Sequence, residues 1–244
     1  MEIMEIIESV EQSDYLTLIN FKSDTTVISW APFNGGFKNG IKHIINRTLK
    51  KEEREIKYTN DFYEKILRER GLEKSAAKTV ILLTAVPQTY LERSEAVDAK
   101  TKLSVSAFCT VGLGNALAPA DKATYNEEIE SRKNLLPHNT INIIVAVNKF
   151  LTENAAISMV SEITQAKCAA MVKYGKIISK ISGHLCMGTG TDCIAVSFPE
   201  NYQTRLSYAG LHTKLGELTA KSVIAALQNA IIYYKKFILS GKAK

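Results

Sequence analysis

The chain has 244 residues, 45% of them hydrophobic, and a formal net charge of +6. These values are ordinary for a globular protein with a sizeable core, and no apolar run of 18 residues is present to form a transmembrane helix. The basic residues are dispersed instead of forming a stripe with interleaved aromatic side chains, so a nucleic-acid partner is not expected.

The N-terminal segment and the cysteines indicate a cytoplasmic protein. The first eight residues are acidic and alternate in polarity, which is unlike a signal peptide. The cysteines show no CxxC pairing, which argues against a disulfide framework and against a zinc site; they are Cys109, Cys168, Cys186 and Cys193. The histidines show no metal-ligand spacing, so no ligand cluster argues for a metal, although a metal requirement stays open; no resident cofactor is expected.

The first elements in chain order are two strands and two helices. Two runs of β-branched and aromatic residues, 15–21 and 25–30, are separated by a polar triplet and predict a β-hairpin. After a turn, residues 40–49 predict a helix, because apolar residues recur there at helical spacing. A second helix is expected from Asn60 or Asp61 to Arg70, where a glycine ends it.

The middle of the chain predicts three strands and a long helix. Residues 79–86 form a continuous apolar run that suits a central strand buried on both faces. Residues 102–111 alternate and predict another strand, and residues 140–147 predict the next one. A helix follows over 152–174, with one apolar face.

A strand at 193–198 and a helix over 213–239 complete the prediction. The simplest account is one mixed α/β domain spanning residues 1–244, with a sheet of about six strands and a long C-terminal helix. An α+β fold is the alternative, because the hairpin indicates some antiparallel pairing. The apolar stripe of the last helix is expected to be buried within the chain or in a homodimer.

The cluster from Gly188 to Asp192 precedes the last strand and has features of a ligand-binding turn. Glycines let backbone N–H groups approach a ligand closely, and Thr189 and Thr191 supply hydroxyl donors. Asp192 is a candidate general base, a ligand acceptor or a turn-forming residue. The cluster lacks the ending of a P-loop, and a dinucleotide fingerprint would follow a strand instead of preceding one.

A second cluster opens the last helix. Thr213 is a natural N-cap, and the helix N-terminus favours negative charge and a neutral imidazole on His212. Glu217 lies one helical turn after Thr213 and faces the same side. The alternative interpretation is a capped helix whose first-turn glutamate favours the helix dipole.

Two further Asn/Gly turns follow predicted strands, at Asn34-Gly35-Gly36 and at residues 112–115, which end in Asn115. If the strand ends converge, these turns would line one cleft. Lys167 borders the apolar stripe of the helix at 152–174. It is interpreted either as a snorkelling surface lysine or as a cation in the cleft.

In this order, the clusters resemble the adenosylcobinamide amidohydrolase family. Residues 30–36 resemble its N-terminal motif, residues 110–116 a middle motif, and residues 188–192 and 208–217 its last two motifs. The resemblance extends over about residues 15–235. Gln165 stands where the family usually has an acidic residue, which removes a catalytic role for that carboxylate here. Leu211 replaces a threonine of the family pattern.

The resemblance implies hydrolysis of the amide that joins aminopropanol, or its phosphate, to the corrin ring of adenosylcobinamide, giving adenosylcobyric acid for cobalamin salvage. On this basis His212 or Glu217 would activate the nucleophile and Asp192 would orient the imidazole, and His212→Ala would lower turnover at least about 100-fold. The residues expected to bind the corrinoid substrate are Asn34, Gly35, Gly36, Asn115, Lys167, Thr189, Gly190, Thr191 and Thr213. Thr191 or Thr213 as a covalent nucleophile stays open, as does a non-catalytic corrinoid- or nucleotide-binding protein.

Overall fold

Eight strands pair into one mixed β-sheet in the structure, a computed structural model that describes residues 6–54, 58–123, 139–200 and 205–238. The strands of this sheet are β1 (Ile7–Gln12), β2 (Leu16–Ser29), β3 (Gly36–Thr48), β4 (Thr79–Thr84), β5 (Glu92–Asp98), β6 (Leu103–Val111), β8 (Ile141–Val147) and β11 (Cys193–Pro199). Their order in the sheet is β4-β3-β2-β11-β8-β6-β5, with β1 beside β2. Two adjacent pairs, β3–β4 and β8–β11, are parallel, and the other pairs are antiparallel.

The described part of the chain also contains three α-helices, two small sheets and short 3₁₀ segments. The helices are α1 (Asn60–Arg68), α2 (Glu153–Ala170) and α3 (Lys214–Tyr233). The small sheets pair β7 (Ala116–Leu117) with β10 (Gly188–Thr189), and β9 (Phe150–Leu151) with β12 (Arg205–Leu206). One π-helical turn follows α2, and another follows α3. Over the described ranges, none of the helices has the length and apolar character needed to cross a membrane.

The sheet bends so that its two halves pack face to face between layers of helices. Ile44 of β3 and Ile144 of β8 share one buried cluster, which lies between the two halves. Asn142 of β8 donates a hydrogen bond to the carbonyl of Leu83 in β4 at 3.0 Å, although β4 and β8 are not paired. A second cluster joins β6, β8 and β11 to α2 and α3, and a third joins β2, β3 and β4 to α1. The layer order is therefore helix, sheet, sheet, helix.

The predicted fold class is confirmed, because the chain folds as a mixed α/β domain with a long C-terminal helix. The sheet has eight strands where about six were expected. The strands predicted at 79–86, 102–111, 140–147 and 193–198 are β4, β6, β8 and β11. The helices predicted to start near residues 60, 152 and 213 are α1, α2 and α3. The apolar stripe of α3 is buried within the chain, and a homodimer stays a prediction.

The predicted hairpin at residues 15–30 is wrong. These residues form one long strand, β2, which pairs with β3 along most of its length. The register shifts between Asn20 and Val27, so the polar triplet that indicated a turn lies at an irregularity in the strand. Lys22 and Ser23 are exposed there, and the buried pattern resumes at Thr25. A bulge lets a strand continue through a polar segment without reversing the chain.

The helix predicted over 40–49 is also wrong, because this segment belongs to β3. Ile41 and Ile44 face the core between the sheet halves, whereas Ile45 and Leu49 contribute to the core beneath α1. A strand buried on both faces loses the simple alternation of a half-exposed strand. The strand at 79–84 is buried on both faces as expected, but it lies at one end of the strand order instead of the centre.

Candidate active site

The strands β8 and β11 begin side by side, and this brings together two polar segments that are distant in sequence. The two strands are parallel, with Cys193 opposite Asn142. The residues just before them are therefore neighbours, and Thr140 donates its hydroxyl to the carbonyl of Thr191 at 2.6 Å. Both segments lie at the same edge of the sheet.

The carboxylate of Asp192 is fully engaged by its surroundings. Its Oδ1 accepts hydrogen bonds from the backbone N–H of Thr189 at 3.0 Å, the Thr189 hydroxyl at 2.5 Å and the N–H of Ile141 at 3.2 Å. Its Oδ2 lies 2.5 Å from Nζ of Lys167. The two side chains are only 9% and 12% exposed, respectively. A buried ion pair of this kind is held in one orientation, because each charge depends on the other for compensation.

Lys167 reaches this position because it lies in the last turn of α2. Thr152 caps the first turn of α2 by accepting a hydrogen bond from the N–H of Ala155 at 3.2 Å. The chain then passes through the π-helical turn and the loop before β10. Gly188 lies directly against the ion pair, where an added methyl group would overlap the Asp192 carboxylate and come within 2.7 Å of the lysine Nζ. A glycine is therefore required at this position for the two charges to meet.

Two polar atoms beside this pair are buried without a hydrogen-bond partner among the described residues. They are Oδ1 of Asn115 and Oγ1 of Thr191. The pairing of β7 with β10 places Ala116 opposite Thr189, so Asn115 lies next to the 188–192 loop. Gly190 in that loop is exposed. Buried polar atoms normally find partners, so these two unpaired atoms are candidates for contact with a bound molecule.

The Asn34-Gly35-Gly36 turn packs closely against the residue that follows Trp30, because a Cβ on Gly35 would overlap the carbonyl oxygen of Ala31. The indole N–H of Trp30 donates to the Asp192 carbonyl at 2.6 Å. The amide of Asn34 donates to the carbonyls of Ala76 at 2.8 Å and Thr79 at 2.7 Å, so its polar hydrogens are used within the fold. Trp30 is the first residue of the segment that resembles the N-terminal motif, but it was not among the residues expected to bind substrate. Thr140 was not singled out from the sequence, and its only signal is its position at the start of a predicted strand.

The structure does not bring His212 and Glu217 to Asp192. The ammonium of Lys214, at the start of α3, interacts electrostatically with Asp98 at the end of β5. Strand pairing from β5 through β6 to β8 places this region near Val147, the last residue of β8. Asp192 instead contacts Ile141, the first residue of β8. The two groups therefore lie at opposite ends of a seven-residue strand, about 20 Å long.

This separation corrects the expectation that Asp192 orients the His212 imidazole. The imidazole is exposed, and its ring lies 5.8 Å from that of Tyr208. Glu217 is paired with Lys214 at 2.5 Å and Lys221 at 2.6 Å, and the hydrogen bonds from these lysines lower the pKa of its carboxyl. These contacts match the alternative interpretation of a capped helix with a first-turn glutamate.

Thr213 has the capping geometry expected from the sequence. Its hydroxyl accepts from the N–H of Gly216 at 3.0 Å and donates to the carbonyl of Gly210 at 2.8 Å. Both hydrogen-bonding functions of the hydroxyl are therefore used at the helix start. A role for Thr213 in binding substrate stays a prediction.

The remaining titratable groups near the strand ends bear on whether a metal ion could be bound there. Within the described ranges, no group of three or more histidine, cysteine, aspartate or glutamate side chains is arranged to hold a metal ion. All four cysteines are free. Burial raises the pKa of the Cys193 thiol to about 12, so this cysteine, next to Asp192, is protonated at neutral pH.

Several known proteins resemble this chain. The uncharacterized protein MJ1613 of Methanocaldococcus jannaschii is 29% identical over 244 residues, covering 96% of this chain and 91% of its own. Among solved structures, the PH0078 protein of Pyrococcus horikoshii OT3 has a TM-score of 0.44 at 12% identity and covers 92% of this chain and 79% of its own. A Burkholderia sp. β-aminopeptidase has a TM-score of 0.43 at 13% identity, covering 92% and 82%. At these TM-scores, neither structure indicates a shared reaction.

The family comparison covers almost the whole sequence. A family model for adenosylcobinamide amidohydrolases matches residues 2–237. The match includes every strand and α-helix described above, from β1 to α3, and every residue of the Lys167–Asp192 cluster. The chain therefore belongs to the adenosylcobinamide amidohydrolase family.

Proposed function

We propose that this protein hydrolyses the amide between aminopropanol, or its phosphate, and the corrin ring of adenosylcobinamide. The products would be adenosylcobyric acid and the free amine, and the reaction would serve cobalamin salvage in the cytoplasm. The observation that carries this proposal is the family match over residues 2–237. The buried Lys167–Asp192 pair supports placing the reaction at the edge of the sheet where β8 and β11 begin.

The Lys167–Asp192 pair is suited to stabilise the transition state of amide hydrolysis. Negative charge develops on the amide oxygen when a nucleophile attacks the carbonyl carbon, and a fixed cation in a buried site stabilises that charge. The Lys167 ammonium has three donors, and Asp192 is the acceptor that it meets among the described residues, which leaves donors to reach a substrate oxygen. Asp192 holds the ammonium in place and keeps the net charge of the site near zero.

The attacking oxygen would belong to water or to the hydroxyl of Thr191. The Thr191 hydroxyl is buried without a partner among the described residues, and its backbone carbonyl is held by Thr140. Asn115 presents an equally unpartnered amide oxygen on the neighbouring turn. This oxygen would accept a hydrogen bond from the amide N–H of the substrate or from the hydroxyl of its aminopropanol group.

The test is to incubate the purified protein with adenosylcobinamide and to follow the corrinoid by mass spectrometry. Loss of the aminopropanol unit with formation of a free carboxylate is the expected result. Binding of the intact corrinoid without conversion would favour the non-catalytic binding protein. If the corrinoid is neither converted nor bound, the chain acts on a different substrate.

A further inference from the structure

Trp30 is a large aromatic residue that is half-exposed and yet held in a fixed position. Its side chain is 51% exposed, while its indole N–H donates to the Asp192 carbonyl at 2.6 Å. The following residue, Ala31, is buried and donates its N–H to the Ser29 hydroxyl at 3.0 Å. That hydroxyl in turn donates to the carbonyl of Ile194 at 2.8 Å. The indole N–H anchors the ring to the start of β11, and the hydrogen bonds of Ala31 and Ser29 hold the backbone beside it.

The position of Trp30 beside the candidate active site distinguishes it from other exposed aromatic residues. The carbonyl that it contacts belongs to Asp192, whose carboxylate is paired with Lys167. The opposite end of the same strand, β2, carries Tyr15 just before its first residue, and that ring is 50% exposed. Tyr15 lies under the ammonium of Lys50, 5.7 Å from its ring centre, and has no part in the Asp192 cluster. Trp30 and Tyr15 are thus equally exposed, but only Trp30 contacts the Asp192 cluster.

A preorganised aromatic face is an effective contact for a broad apolar ligand. Indole rings provide large contact areas at low cost in side-chain entropy, and stacking on them adds to the affinity. A ring already held by a hydrogen bond loses less freedom on binding than a mobile one. The proposed substrate carries its scissile amide on a short propionyl arm that hangs from a broad, flat macrocycle. An aromatic face next to the ion pair would meet that macrocycle when the amide reaches Lys167.

We infer that Trp30 determines specificity by packing its indole face against the corrin ring while Lys167 engages the amide. This inference rests on the proposed function, and it concerns the part of the substrate that does not react. The contribution is to binding, so it acts on KM and leaves the chemical step largely unchanged.

The test compares KM and kcat for adenosylcobinamide in Trp30→Ala, Trp30→Leu, Trp30→Phe and the matched control Tyr15→Ala. We expect Trp30→Ala and Trp30→Leu to raise KM about tenfold, with kcat within about threefold of the unchanged protein. Trp30→Phe keeps a ring face without the N–H donor, and its KM should stay within about threefold. Tyr15→Ala should leave KM unchanged. Melting temperatures establish which variants are folded, and Trp30→Leu replaces Trp30→Ala if the latter does not fold.

Two results would overturn the inference. One is an unchanged KM in the Trp30→Leu variant. The other is a fall in kcat at constant KM, which would indicate that Trp30 only supports Asp192. Failure of the unchanged protein to bind or convert adenosylcobinamide would instead overturn the proposed function and remove the basis for this inference.

Discussion

Lys167 is the residue whose replacement tests the candidate active site most directly. Lys167→Met removes the cation proposed to stabilise the developing oxyanion, and turnover of adenosylcobinamide should fall at least about 100-fold. The variant also leaves the Asp192 carboxylate buried without its partner, so the free energy of unfolding should fall by about 3 kcal/mol. Initial rates and denaturant titrations measure the two effects separately.

The double variant Lys167→Met/Asp192→Asn separates catalysis from stability. An uncharged amide at position 192 removes the unpaired charge and should restore much of the lost stability, while turnover stays low. Lys173→Met is the matched control, since Lys173 is exposed and lies six residues further along the chain. Normal turnover in folded Lys167→Met would place the reaction elsewhere in the molecule.

For His212 we expect the opposite of the result for Lys167: its replacement should leave turnover nearly unchanged. The sequence indicated a catalytic imidazole, but the structure places it about one strand length from Asp192. We therefore expect His212→Ala to keep turnover within about threefold, because it removes no group from the Lys167–Asp192 cluster. A loss of about 100-fold in a folded His212→Ala protein would restore the sequence-based hypothesis and move the site to the start of α3.

The sequence singled out the residue types of the cluster but not their grouping. Asp192, Thr189, Thr191 and Asn115 stood out because glycines surround them in turns at predicted strand ends. Lys167 had two interpretations, and only its contact with Asp192 distinguishes them. The association of His212 with Asp192 was part of the mechanism that the family resemblance implied. It failed because α3 begins at the other end of β8.

At the scale of elements, α1 makes the fold sensitive to alkaline pH. Burial raises the pKa of Tyr63, within the helix, and of Tyr58, just before it, to about 12. An unfolded tyrosine has a pKa near 10, so the folded state binds more protons between about pH 10 and 12, and stability falls as the pH rises through that range. Tyr58→Phe/Tyr63→Phe should lose less stability than the unchanged protein between pH 9 and 11, as measured by urea midpoints. Equal losses in the two proteins would contradict the assignment.

Whether a strand could be recognised in the sequence depended on which of its faces are buried. The strands β6, β8 and β11 were predicted because their β-branched runs end at glycine, proline or polar turns. The segment 40–49 was misassigned because Ile41 and Ile44 face one core while Ile45 and Leu49 face another. Because both faces of this strand are buried, its apolar residues recur at the spacing expected of a helix. The strand β5 was missed because charged residues occupy most of its exposed positions.

For the whole molecule, the contact between the two sheet halves gives a further prediction. Asn46 accepts a hydrogen bond from Asn142 at 2.7 Å and donates one to Thr110 at 3.2 Å, and all three are buried. Asn46→Ala leaves buried polar groups without partners and should lower the free energy of unfolding by about 1–3 kcal/mol. The exposed Asn154 is a suitable control, and Asn154→Ala should change stability by less than about 0.5 kcal/mol. Similar stabilities of the two variants would show that the asparagine contact adds little to the packing of the sheet halves.

The layered arrangement itself could not be derived from the sequence. Local patterns identify single strands, whereas the face-to-face packing depends on pairs such as Asn142 and Leu83, which are separated by more than fifty residues. The order of strands in the sheet is equally non-local, since β2 lies next to β11. The irregular alternation of predicted strands and helices indicated a mixed sheet, but how the sheet bends depends on contacts between segments that are distant in sequence.

The indole that is hydrogen-bonded to the Asp192 carbonyl also allows the site to be monitored by tryptophan fluorescence. The chain contains a single tryptophan, so the emission of the unlabelled protein at long excitation wavelengths reports on Trp30 alone. Release of the hydrogen bond, changes in polarity around the ring and energy transfer to a coloured ligand would each change that emission. The protein therefore carries its own optical probe of occupancy, without any added fluorophore.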